Sequence, residues 1–176
     1  MLIAPAALLT HSALAAPVSA PLTLRIASSA LGELDVPPTM VMHFPVRIGG
    51  FPQSRDYALV PGSREGLWWL QSIEDPATTF ILGDPFLQDS AYGFDIGDAE
   101  RIALRIVDEA DAFALVMITL PNAEGDRATA NMRAPLVFNL RQRLAMQVIS
   151  RDDRHDVCRP ISLASLQSRA HGVRLK

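Results

Sequence analysis

From residue 22 onward, apolar residues come in runs of four to eight, each closed within a few positions by proline, glycine or a charged pair. Such runs are too short for core-forming helices and have the length of strands. Leu22–Ile26 alternates apolar and polar, and Leu31–Val36 stops at Pro37-Pro38, which cannot donate to a ladder. Thr39–Phe44 ends at Pro45 and then Gly49-Gly50, while Tyr57–Val60 runs into the turn pair Pro61-Gly62. Leu67–Ile73 and Thr78–Leu82 flank Glu74-Asp75-Pro76-Ala77, the layout of a hairpin. A second hairpin is expected where Pro135–Asn139 and Ala145–Ser150 flank Leu140–Leu144. Phe113–Leu120 is apolar almost throughout, which predicts a strand buried on both faces.

Helical spacing stands out once. Asp98–Ile106 opens with a cap-type residue and an acidic first turn, and its apolar positions share one face. Ser162–Ala170 is a weaker second helix. Together these elements predict a mostly β fold, a small antiparallel β-barrel or barrel-like sandwich with one or two short helices. The 176 residues show no repeat and no linker, so residues 22–176 are expected to form a single domain.

The charges are unevenly placed. From Glu65 to Glu100 there are eight acids and no Lys or Arg, whereas ten of the last fifty residues are basic and three are acidic. The bland reading is solvated strand edges; the sharper one is an acidic face for a basic partner. A net charge of −3 speaks against direct nucleic-acid binding, which needs a concentrated basic surface. Cys158 is the sole cysteine, so no internal disulfide can form and a reducing cytoplasm is the expected home. Residues 1–21 carry no charge and include Ala13-Leu14-Ala15-Ala16, which partly resembles a cleavable export signal. No Lys or Arg precedes the run, and Pro5, His11 and Ser12 interrupt it. These residues are read as a disordered extension or a misassigned start, and they are too short to span a membrane. The alternative is an exported β-domain that binds carbohydrate or another surface ligand.

Catalytic chemistry finds little support. No G-x-S-x-G elbow, P-loop or G-x-G-x-x-G is present, so no cofactor is expected. His155 and Cys158, with His171 as a conceivable third, are closely spaced, but a structural zinc normally takes four ligands and no C-x-x-C pair exists. Glu74, Asp75 and Asp84 fall in expected turns, where water would screen them from the pKa splitting that acid–base catalysis requires. Trp68 and Trp69 are adjacent on a strand and must face opposite sides. One ring enters the core, and Trp68 is taken as the candidate binding anchor.

The order of motifs resembles the flagellar assembly factor FliW family. The resemblance rests on Gly32-Glu33-Leu34, Phe44-Pro45, Gly50-Phe51, Trp69-Leu70-Gln71-Ser72 with Glu74-Asp75, Asp84-Pro85-Phe86, and Thr129–Asn139, which reads T-A-N-M-R-A-P-L-V-F-N. It spans residues 28–160. Arg47, Gly49 and Ala145 depart from the family pattern, Ala145 where a hairpin glycine is usual. Phe44, Pro45, Gly50, Phe51, Gln71, Asn131, Pro135 and Asn139 are read as architectural, with Gly50 at positive φ and Phe44, Phe51 and Phe86 plugging the barrel ends. The resemblance implies a non-enzymatic, monomeric protein that binds flagellin and the carbon storage regulator CsrA, an RNA-binding translational repressor. Flagellin export would free it to capture the repressor and release flagellin synthesis. The expected contacts with these partners are Trp68, Glu74, Asp75, Asp84, Phe86 and Asp89.

Overall fold

The computed structural model describes residues 22–121 and 127–162. Its strands are β1 (Leu24–Ser28), β2 (Gly32–Val36), β3 (Val41–His43), β4 (Asp56–Pro61), β5 (Leu67–Ser72) and β6 (Thr79–Gly83). After two helices, α1 (Pro85–Gln88) and α2 (Asp98–Leu104), come β7 (Phe113–Thr119), β8 (Thr129–Ala130), β9 (Leu136–Asn139), β10 (Leu144–Gln147) and β11 (Arg159–Pro160). Strands β1 and β2 form a separate two-stranded ribbon; the others share one sheet in the order β11-β8-β7-β6-β5-β4-β3-β10-β9. Strand β9 also pairs with β7, so the seven strands from β7 round to β9 close into a barrel.

Both expected hairpins are present, with Gln71 opposite Thr79 and Leu144 opposite Asn139. Closure is antiparallel except at one joint, where β10 meets β3 in parallel and His43 N–H donates to the Arg143 carbonyl at 2.8 Å. Strand alternation divides the core. Met42, Phe44, Tyr57, Leu59, Leu70, Leu82, Leu115, Leu136, Phe138 and Ala145 fill the lumen, all nearly or fully buried. The residues between them on β7 and β9, Ala114, Val116, Ile118 and Val137, point outward into a second core with Tyr92, Phe94, Leu104, Ile106 and Met132. This is why β7 is apolar along its length: both its faces are covered. The ribbon forms a third, small cluster by laying Ile26 and Val36 over Ala58.

Helix α2 begins one residue earlier than its sequence suggests, with Gly97 as the N-cap and Asp98 and Glu100 in the first turn. It stops at Leu104 because Arg105 adopts φ 54, and the Arg105 N–H donates back to the Arg101 and Ile102 carbonyls. The short helix α1 was not expected: Asp84 caps it and Pro85 opens it, a start signal that lies within the D-P-F motif. Thr39 and Met40 belong to a 3-10 turn rather than to a strand. The weaker helix Ser162–Ala170 lies almost wholly outside the described residues.

Phe138 lies in contact with both Phe113, stacked at 5.1 Å, and Phe44, edge-on at 6.3 Å, at the seam where β9 closes the ring. Phe138→Ala is expected to cost about 3–5 kcal/mol, read as a fall in the denaturant midpoint. The conservative Phe138→Leu should cost less than half of that.

Candidate partner-binding surface

The acidic segment does not form one patch. Glu74 and Asp75 sit at the turn of the β5–β6 hairpin, whereas Glu65 and Asp84 flank its open end, where Asp84 N–H donates to the Gly66 carbonyl at 2.9 Å. The length of β5 separates the two ends by about 17 Å.

At the turn, the carboxylates are taken up by the fold. Glu74 Oε1 accepts the backbone N–H groups of Arg55 and Asp56, both at 3.0 Å. Asp75 accepts the Ala77 N–H at 3.0 Å and the Thr78 hydroxyl at 2.6 Å. Below them lies a buried polar layer. Ser54 and Ser72 share a hydrogen bond at 2.7 Å, and Ser72 Oγ accepts the Asp75 N–H. Gln71 is fully buried; its amide donates to the Ser72 carbonyl at 2.9 Å and accepts from the Thr79 hydroxyl. The ribbon joins the same turn through Ser29 N–H to the Pro76 carbonyl at 2.8 Å. The W-L-Q-S-x-E-D motif is thus explained by the tight turn it builds.

At the other end, Asp84 accepts the Phe86 N–H at 2.9 Å, and Phe86 packs edge-on to Tyr92 at 5.6 Å in the outer core, so it does not plug the barrel end as expected. Asp89 accepts from Arg159 Nη1 at 2.9 Å and from the Ala91 N–H at 3.0 Å, tying α1 to β11. Trp68 lies on the barrel's inner side, its ring 6.4 Å from Phe113. Its neighbour Trp69, opposite Val60 and Ile81, faces outward and is half-buried. Strand parity thus turns Trp68, taken from the sequence as the candidate anchor, toward the lumen and leaves Trp69 on the outer face.

The architectural residues sit where their chemistry suits. Phe44 is buried in the lumen; Phe51 lies at the rim, 36% exposed and 4.7 Å from Phe80, so it flanks the barrel end more than it plugs it. Gly50 has φ 85, and the Pro45 carbonyl accepts from Arg55 Nη1 at 3.2 Å. Asn131 Oδ1 accepts the Ala134 N–H at 3.0 Å, closing a loop that interrupts the edge facing β7 between β8 and β9. Pro135 is buried, and its carbonyl accepts the Val148 N–H at 2.9 Å. Asn139 donates to the Leu104 and Arg105 carbonyls at 3.0 and 3.2 Å and accepts the Gln142 N–H at 3.1 Å. Ala145 is an ordinary buried strand residue paired with Phe138; the left-handed turn position is Arg143, at φ 54.

Among the described residues, no group of three or more His, Cys, Asp or Glu side chains is arranged to hold a metal ion. His155 hydrogen-bonds through Nε2 to the Gly93 carbonyl at 2.7 Å and packs at a tilt against Tyr92, while Cys158 is exposed. His171 lies outside the described residues. His43 and Asp56 form a half-exposed pair at 2.7 Å.

Several carboxyls lie below their ordinary range. Burial pushes Glu74 up, but the N–H groups of Arg55 and Asp56 and the Ser72 hydroxyl outweigh it. The Thr78 hydroxyl and the Ala77 N–H lower Asp75, and Arg159 lowers Asp89. Because the folded values are depressed, this stabilisation is complete above the unfolded carboxylate range, roughly pH 4.5, and is lost as pH falls through the folded values. The denaturant midpoint is expected to drop steadily below about pH 4.5, and Asp89→Asn should flatten that slope. Asn139→Ala removes three hydrogen bonds that hold α2 to the β9–β10 turn, an expected loss of about 3 kcal/mol, measured by chemical denaturation at pH 7.

The FliW protein family model matches residues 25–161. The flagellar assembly factor FliW of Moorella thermoacetica is 34% identical over 127 residues, covering 72% of this chain and 80% of that protein. That of Desulfovibrio desulfuricans is 37% identical over 121 residues, covering 67% and 73%. A crystal structure of the flagellar assembly factor FliW superposes with a TM-score of 0.71 at 29% identity, covering 77% of this chain and 95% of that one. On its sequence, its closed seven-stranded barrel and its short helices, the chain belongs to the FliW family of flagellar assembly factors.

Proposed function

We propose that this protein serves flagellar assembly as a non-enzymatic cytoplasmic monomer that binds flagellin and the repressor CsrA in competition. Export of flagellin then frees it to capture the repressor. The observation that carries the reading is the filled barrel. Large side chains close-pack the lumen, and Glu74 and Asp84 at its two ends are engaged in a turn and a helix cap, so the work falls to the exterior. Among the described residues no helix is long and apolar enough to cross a membrane.

Two partners drawing on one pool give a switch by mass action. In this reading the repressor, basic because it binds RNA, approaches the acidic ends of the β5–β6 hairpin: Glu74 and Asp75 at one, Asp84, Phe86 and Asp89 at the other. Trp69 lies on the outer face between them, with Trp68 beneath.

Titration of the purified chain with purified repressor, then with flagellin monomer, is expected to show capture followed by displacement. Binding of neither would overturn the reading. Reversing Glu74, Asp75 and Asp84 to Lys is expected to slow association with the repressor and weaken its salt dependence. Because Glu74 and Asp84 also hold backbone N–H groups, a parallel reversal of the exposed Glu65 and Asp95 separates charge from folding. Unchanged association in both variants would remove the acidic ends from the interface.

A further inference from the structure

We propose that the turn end of the barrel lumen holds a structural water molecule that bridges the Tyr57 hydroxyl to Ser54 Oγ.

Tyr57 lies on β4 with Met42 and Ser72 opposite it on the two neighbouring strands, and it is fully buried. Its ring is well packed, edge-on to Phe44 at 5.0 Å and tilted against Phe80 at 6.2 Å. The hydroxyl is the exception: among the described residues it is the one buried side-chain nitrogen or oxygen without a hydrogen-bond partner. Taking a hydroxyl out of water unpaired is unfavourable, and a phenylalanine would make the same ring contacts without that cost. The oxygen therefore needs a partner that the surrounding side chains do not supply.

Its surroundings fix the nature of that partner. Burial pushes the Tyr57 hydroxyl pKa up, Ser54 draws it down, and the charges of Glu74 and Asp75 push it up further, so the oxygen faces the polar layer under the β5–β6 turn. Proton counting in that layer leaves one opening. Ser72 Oγ accepts the Asp75 N–H at 3.0 Å and donates to Glu74 Oε2 at 3.4 Å. Its single proton is then committed, so in the 2.7 Å bond between the two serines Ser54 is the donor. Ser54 Oγ keeps free lone pairs and Tyr57 keeps a free proton, yet the two oxygens do not meet directly. A water molecule accepts from Tyr57 and donates to Ser54, and two polar partners are the least that a buried water takes. A cation fits poorly, because Glu74 already accepts two backbone N–H groups and the Ser72 hydroxyl.

The route from solvent is short. The Ser54 N–H donates to the Phe51 carbonyl at 3.4 Å, and Phe51 stands at the rim beside the exposed Gly49 and Gly50. The bridge also closes a circuit. It runs from Tyr57 through water to Ser54, Ser72 and Glu74, whose Oε1 accepts the N–H groups of Arg55 and Asp56, just before Tyr57 in the chain. The β5–β6 turn is thereby tied to β4 through the lumen as well as over its rim.

The test compares the parent chain with Tyr57→Phe, Ser54→Ala and the double variant. Magnetic relaxation dispersion of the water nuclei counts long-lived internal waters, and Tyr57→Phe is expected to hold one fewer than the parent. In chemical denaturation each single variant is expected to lower the midpoint. The double variant should lose less than the sum, because either change alone already breaks the shared bridge. Equal water counts in the parent and Tyr57→Phe would overturn the proposal, as would additive losses or a Tyr57→Phe midpoint at or above the parent's. Should a variant fail to fold, a crystal structure of the parent chain decides. A water within hydrogen-bonding distance of both oxygens supports the bridge; a direct Tyr57–Ser54 bond, or a hydroxyl packed only against carbon, removes it.

Discussion

The pairing of β9 with β7 is what makes this molecule a barrel. Phe113, Ala114 and Leu115 stand opposite Phe138, Val137 and Leu136, while the other edge of β9 is held by β10. All four β9 residues are buried, and they serve three places at once. Leu136 and Phe138 complete the lumen, Val137 completes the outer core, and Asn139 holds the end of α2. Without that ladder the sheet would have exposed edges on β7 and β9, and the lumen side chains would lie open to water. The outer layer would lose its floor as well, because its helices and loops rest on the backs of the same strands.

How much of this was legible depends on sequence distance. The β5–β6 hairpin could be read because its turn residues are contiguous, and β7 because two-sided burial leaves an unbroken apolar run. The joint between β3 and β10 could not, since parallel pairing of His43 with Leu144 leaves no local pattern. Helix α1 carried a capping aspartate and an opening proline, but four residues are too few to show a helical period. The inward side of the Trp68–Trp69 pair was a matter of register: alternation requires opposite faces, and only the pairing of β4 with β5 fixes which ring enters the lumen.

The surface was less legible than the fold. Eight acids in one stretch of sequence suggested a single face, yet a hairpin lies inside that stretch and carries its members to opposite ends. Several of them also close turns, a role that composition cannot separate from partner recognition. The left-handed turn residue Arg143 gave only an indirect signal, a hairpin lacking its usual glycine. The position that needed it is Arg143, two residues before the one alignment by motif would choose. Backbone conformation at a turn depends on the loop's exact length, which the flanking strands set.

The parallel joint has a consequence for the timing of folding. Strand β3 appears early in the chain, but its second ladder partner is not available until residue 144 has been made. During synthesis the outer edge of β3 is therefore an unpaired strand edge, bordered by Val41 and Met42. Pairings between such distant residues form slowly, and an open edge invites association with other chains. The final third of the polypeptide thus acts as a latch on the first, and a ribosome that stalls before it would leave a sheet open to aggregation.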